Sequence, residues 1–258
     1  MVKGLYTAYT GMLNQQNKVD VIANNLANAA TTGYKKEGST SEAFDAVLAY
    51  KIKDQTSAFR GKKIGTMNLG VKIGENYVDY SQGAFETTNN TYDLALSGEG
   101  FFAIEFTNKA GETDTKYTRA GQFTLNKDGY LVTEEGDYVL DTQNRRIRLN
   151  TLIDSSITDD GTIYQNGQAM AKIQVTDFAD YDYLEKYGET YYQPIQGAQT
   201  IASNAQVKSG YLEMANVQIV SEMVNLISIT RAYESNQKVV QTIDDTLDVA
   251  VNQIGRVQ

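Results

Sequence analysis

The chain has 258 residues, 41% of them hydrophobic and 21% charged, enough for the core of one large or two small folded units. A net charge of −9 repels polyanions, so nucleic acid is not an expected partner. The chain contains no Cys and no His, which removes the common zinc, iron and copper ligands and the usual Ser-His and Cys-His nucleophile pairs; no cofactor, metal or catalytic residue is expected.

Residues 1 to 35 read as a first helical segment. Leu5, Met12, Val19 and Leu26 recur every seven residues, with Tyr9, Gln16 and Ala23 at the intermediate positions, the pattern of a helix that faces another helix. Gly33 follows as a stop. Asn14, Gln15, Gln16 and Asn17 interrupt the opening stretch before an apolar run of signal-peptide type can form, and no 18-residue apolar stretch occurs anywhere. The protein is therefore expected not to be membrane-embedded, and any export to proceed without a cleavable signal.

Residues 36 to 70 read as an irregular connector, briefly helical over SEAFDAVLAYKI and then broken by Gly61, Gly65 and Gly70. From 71 to 205 the period shifts to two. Runs such as YDLAL, GFFAIEF, KYTRAGQFTL, GYLVTE, DYVLD, AKIQVTDF and ETYYQ alternate with Asp128-Gly129, Asp160-Gly161 and Asn166-Gly167 turns, which predicts a mainly antiparallel β domain.

Residues 206 to 258 read as a second, longer helix. Leu212, Ile219, Leu226, Tyr233, Val240, Leu247 and Ile254 hold one heptad phase, interleaved with Asn216, Met223, Thr230, Gln237, Asp244 and Val251. No Gly or Pro breaks the run from Tyr211 to Ile254, which as a helix would span roughly 65 Å. The half-polar seams point to a bundle of several chains. The predicted fold class is α+β: long N- and C-terminal helices paired as a coiled coil, with a central mainly antiparallel β domain.

Candidate chemical motifs fail on spacing. SGEGFF is not followed by GxxxxGK[ST] or GxGxxG, and NKDG and DDG lack the calcium-loop pattern. Glu134–Glu135 and Asp159–Asp160 are sequence neighbours that point to different sides. Lys62–Lys63 and Arg145–Arg146 are too short for a basic patch.

Three segments carry a resemblance. The first helix ends in Ala23, Asn24, Asn25, Leu26, Ala27 and Asn28, followed by Thr31, Thr32, Gly33, Tyr34 and Lys35. The middle contains YDLALSGEGFFAIE and YTRAGQFTLNKDGYLVTEEGDYVL, and the last helix contains Arg231, Ala232, Tyr233 and Glu234. Together they resemble the flagellar axial proteins of rod and hook, specifically the basal-body rod family. Around Pro194 the sequence follows the family's Asn-Pro-Gly type turn only loosely. The resemblance implies a non-enzymatic subunit of the tubular rod that transmits torque from motor to hook, with terminal helices inside and the β domain outside. It implies as partners further copies of this chain, other rod, hook and ring proteins, and the flagellar export apparatus, and as location the flagellar basal body. The length, the connector after Phe44 and the central segment look more like a distal than a proximal rod member. Two readings compete: a fibre or adhesin with a closed trimeric coiled coil, and a carboxylate-dependent cell-wall glycan hydrolase, whose two carboxyls would stand roughly 5 to 9 Å apart.

Overall fold

The computed structural model describes residues 2–44, 47–51, 62–68, 70–108 and 111–254. Helix α1 spans Val2–Ala27, and after it come β1 (Glu37–Ala43), β2 (Val47–Lys51), β3 (Lys62–Met67) and β4 (Val71–Val78). Next are β5 (Phe85–Thr87), β6 (Leu94–Ser97), β7 (Phe101–Thr107), β8 (Thr113–Thr118), β9 (Phe123–Leu125), β10 (Leu131–Thr133) and β11 (Tyr138–Val139). Then follow β12 (Ser155–Ile157), β13 (Thr162–Gln165), β14 (Gln168–Lys172), β15 (Val175–Phe178), β16 (Leu184–Tyr187), β17 (Tyr191–Pro194), β18 (Thr200–Ala202), β19 (Gln206–Ser209) and β20 (Tyr211–Glu213). Helix α2 (Ile219–Val249) follows, with a π-helical turn over Ala250–Ile254. The fold is α+β, mostly antiparallel in its strands, with one long helix from each end.

Two compact units divide these elements. The helical unit comprises Met1–Leu26, Glu37–Asp79 and Gln218–Gln258, and the β unit comprises Ala27–Lys36 and Tyr80–Val217. Most of the described residues of the expected connector are strand. β1 pairs antiparallel with β4 and β2 with β3, and Ser41–Ala43 and Val47–Lys51 are strand where a short helix was expected; Gly61 lies outside the described residues. Residues 71–78 belong to this paired arm rather than to the β domain.

In the β unit a nine-stranded sheet runs β16-β17-β8-β7-β11-β10-β9, with β15 on β7 and β18 on β15. Its core gathers the apolar residues of the alternating runs: Leu94, Leu96, Phe102, Phe123, Leu131, Val139, Ile163 and Val207 are fully buried or nearly so. The turn readings are realised locally. Asp128-Gly129 joins β9 to β10 and Asp160-Gly161 joins β12 to β13. Asn166 and Gly167 both take positive φ, 51° and 76°, between β13 and β14, as a tight hairpin turn of mirror-image type requires.

The long C-terminal helix starts later than its sequence suggests. Residues 211–213 form β20 on β5, and α2 begins only at Ile219. Leu212 is therefore a buried strand residue, not a helix-seam residue. The absence of Gly and Pro permits a helix but does not start one; pairing with β5 decides the local conformation.

Candidate assembly site

Helix α1 carries two differently used faces. On one, amide side chains hold the paired strands. Asn14 Nδ2 donates to Ser41 Oγ at 3.0 Å and Asn17 Nδ2 to Ser39 Oγ at 2.9 Å. Asn25, wholly buried, donates to the Glu37 carbonyl at 2.8 Å and accepts from the Glu37 N–H at 2.9 Å. An amide carries both donor and acceptor, so one side chain satisfies both backbone groups of a strand end.

The other face approaches α2. A Cβ placed on Gly4 would stand 3.5 Å from Ile243 Cδ1, and one placed on Gly11 would stand 3.0 Å from Asn236 Nδ2. One helix advances seven residues while the other retreats seven, so the two run antiparallel here. Leu5, Met12, Val19 and Leu26 are half-buried, and so are Leu226, Tyr233, Val240 and Leu247. Ile219, the first residue of α2, is exposed, and the side chain of Ile254 lies outside the described residues.

Within this chain the buried line of each helix runs one residue before the expected intermediate positions. Tyr9, Gln16 and Ala23 are exposed, whereas Ala8 and Ile22 are buried and Gln15 is half-buried. On α2, Met223, Thr230, Gln237, Asp244 and Val251 are exposed, while Glu222 is buried and Ile229, Asn236, Ile243 and Ala250 are half-buried. Seam positions alternate steps of three and four, and a heptad phase taken from one position leaves that order open. The apolar Ile22, Ile229 and Ile243 were the available signal. Asn216 is not in the helix: its Oδ1 accepts from the Lys36 N–H at 2.7 Å and its Nδ2 donates to the Ser81 carbonyl at 3.1 Å. Of the motif residues in α2, Ala232 and Tyr233 are half-buried, and Arg231 and Glu234 are exposed.

The segment after α1 is locked inside the β unit. Thr31 folds back on Asn28, its hydroxyl donating to Asn28 Oδ1 at 3.2 Å. Gly33 takes φ 69°, and any Cβ there would collide with the backbone of Arg119 and Ala120, so both conformation and space require glycine. Its N–H donates to the Glu213 carbonyl at 2.7 Å. Tyr34 is fully buried, with Lys186 Nζ 4.2 Å from its ring centre.

Lys35, also buried, places Nζ 2.6 Å from Glu213 Oε1 and 2.8 Å from the Ser81 carbonyl. Arg119 Nη1 lies 3.3 Å from Glu213 Oε2, and the Gly83 N–H donates to Oε1 at 2.9 Å. Two cations and one carboxylate are thus buried together and hydrogen-bonded, the condition under which buried charge is tolerated. Sequence reading found Lys35 by motif but missed Arg119 and Glu213. Glu213 lay inside a segment taken as helix, 178 residues from its partner.

On the β unit Glu135 and Asp137 both lie beside the Tyr191 phenol, and burial raises the Asp137 carboxyl above its ordinary value. Glu134 and Glu135 edge a hollow of about 180 Å³ with Thr31, Thr32, Gln122 and Tyr191. Burial, with Glu135 beside it, raises the Tyr191 phenol well above its ordinary value, so it stays a neutral donor to Asp137 at 2.9 Å. Among the described residues no cluster of acidic side chains could hold a metal ion, and no helix is long and apolar enough to cross a membrane.

Comparison with known proteins places these elements in one lineage. Residues 5–35 match the profile described as flagella basal body rod protein, residues 95–167 the flagellar hook protein FlgE/F/G D1 domain, and residues 208–254 the flagellar basal body rod FlgEFG protein C-terminal region. The chain is similar to the flagellar basal-body rod protein FlgG of Bacillus subtilis, 35% identical over 98% of this chain and 99% of that one. It is also similar to the flagellar basal-body rod protein FlgF of Caulobacter vibrioides, 32% identical over the full length of both. The flagellar hook-basal body complex protein FlhO of Bacillus subtilis is 30% identical, again over the full length of both.

Proposed function

Because this chain belongs to the flagellar basal-body rod protein family, we propose that it is a structural subunit that polymerises into the tubular rod, in its distal segment. The observation that carries this reading is a full-length likeness to rod subunits joined to helix faces that a monomer leaves wet. Tyr6, Tyr9 and Leu13 on α1, and Val220, Met223, Val224 and Ile227 on α2, are all exposed. Neither helix can bury those residues alone, and most helical stability comes from packing an apolar face. The terminal helices pair antiparallel along the Gly4–Gly11 face and complete their burial against neighbouring subunits. Torque then passes through packed helices rather than through any reaction at a catalytic residue. Hook, ring and other rod proteins, and the export apparatus, are the heterologous partners of this reading.

Immunogold labelling of isolated hook–basal bodies carrying an epitope-tagged chain tests the assignment. Label on the rod segment adjoining the hook is the expected result. Label confined to the hook itself, or absent from the basal body, contradicts it.

A further inference from the structure

Two stripes of exposed apolar residues lie at opposite ends of the helical unit. Steps of three and four put Tyr6, Tyr9 and Leu13 on one stripe of α1, and Val220, Met223, Val224 and Ile227 on one stripe of α2. The approaches of Gly4 to Ile243 and Gly11 to Asn236 fix the register between the helices. In that register Leu13 is level with Glu234 and Tyr6 with Gln241, whereas Met223 is level with Asn24. The α1 stripe is therefore level with residues 234–241 of its own chain's α2, and the α2 stripe with residues 20–27 of its own α1, so neither stripe is level with the other within one chain. The centres of the two stripes are about 14 residues apart along the pair, about 20 Å at the helical rise. No movement within one chain that keeps this pairing brings them together.

We propose that a second copy of this chain, shifted along the helix axis by about 20 Å, docks its Tyr6–Leu13 stripe on the Val220–Ile227 stripe of the first. Antiparallel packing then sets Tyr6 against Ile227, Tyr9 against Val224 and Leu13 against Val220. Every copy offers one stripe of each kind at opposite ends, so the contact is heterologous and repeats without closing. Val220 is 76% exposed and Tyr6 61% exposed, so both gain most of their burial at this contact. The contact rests on the polymer reading above and adds to it which faces meet and with what stagger.

The chain has no cysteine, so engineered pairs report alone. Full-length Tyr9→Cys and Val224→Cys chains are mixed in equal amounts, concentrated and oxidised. Tyr9→Cys is mixed in parallel with Lys238→Cys, which samples the unshifted register. A heterodimer from the first mixture, at least roughly tenfold over the second and over either homodimer, supports the stagger. Equal yields, or no 9–224 product from chains that do sediment as polymer, overturn the stagger and leave the rod reading standing. Failure of the unsubstituted chain to polymerise overturns both. Val224→Glu supplies an independent measurement. It is expected to raise the concentration needed for polymerisation by at least roughly tenfold without changing the unfolding midpoint of the dilute monomer, and an unchanged polymerisation threshold overturns the contact.

Discussion

Gly33, Tyr34 and Lys35 show how a short motif acts through partners that are distant in sequence. Gly33 permits the left-handed turn and the close approach to Arg119 and Ala120, which brings Lys35 to Glu213. Glu213→Gln leaves Lys35 and Arg119 buried without their carboxylate. It should destabilise the β unit by about 3–5 kcal/mol, read by denaturant unfolding of the full chain with near-ultraviolet circular dichroism. A loss under 1 kcal/mol would mean that water or rearrangement satisfies both cations. Gly33→Ala should also destabilise strongly, because its added Cβ meets backbone that cannot rotate aside. The motif was legible in the sequence as a unit, but Gly33 was read as the stop of a helix that ends already at Ala27. The motif's ion partners were not legible, since charge pairing across 178 residues leaves no local pattern.

At the scale of elements, periodicity located both long helices but placed the start of α2 too early. The heptad phase of Leu226, Tyr233, Val240 and Leu247 coincides with the half-buried line. The choice between a step of three and a step of four could be made only where apolar residues such as Ile229 and Ile243 marked it. The arm of β1 to β4 stayed illegible for a different reason. EGSTSEA has no alternating apolar residues, because β1 packs no core and is held by backbone pairing to β4 and by amides from α1.

Asn25→Ala tests that account. It removes both bonds to Glu37, so the Glu37 amide should exchange with solvent at least roughly tenfold faster, while amides in β7 and β8 keep their rates. Unchanged exchange at Glu37 would show that Asn25 is dispensable for holding the arm. Gly11→Leu should force α2 away at Asn236, seen as increased solvent exchange along 229–243; the unaltered pattern would contradict close helix packing at Gly11.

For the whole molecule, the unit boundaries identify which parts fold alone and which need neighbours. The β unit takes residues from both sides of the β1–β4 arm, and its ion cluster joins Lys35 to Glu213. A fragment of residues 27–217 should therefore fold as a stable monomer, whereas one of residues 36–210 should lose cooperative unfolding. Among the described residues the helical unit buries fewer apolar side chains and leaves Tyr6, Tyr9, Val220 and Ile227 in water, as suits a part completed by association.

Electron microscopy of the concentrated full chain beside the 27–217 fragment tests the central claim most directly. The account predicts tubes or rods from the full chain, with α1 and α2 packed on neighbouring helices, and folded monomers from the fragment. Polymers from the fragment, or a full chain that stays monomeric at high concentration, would contradict assembly through the terminal helices.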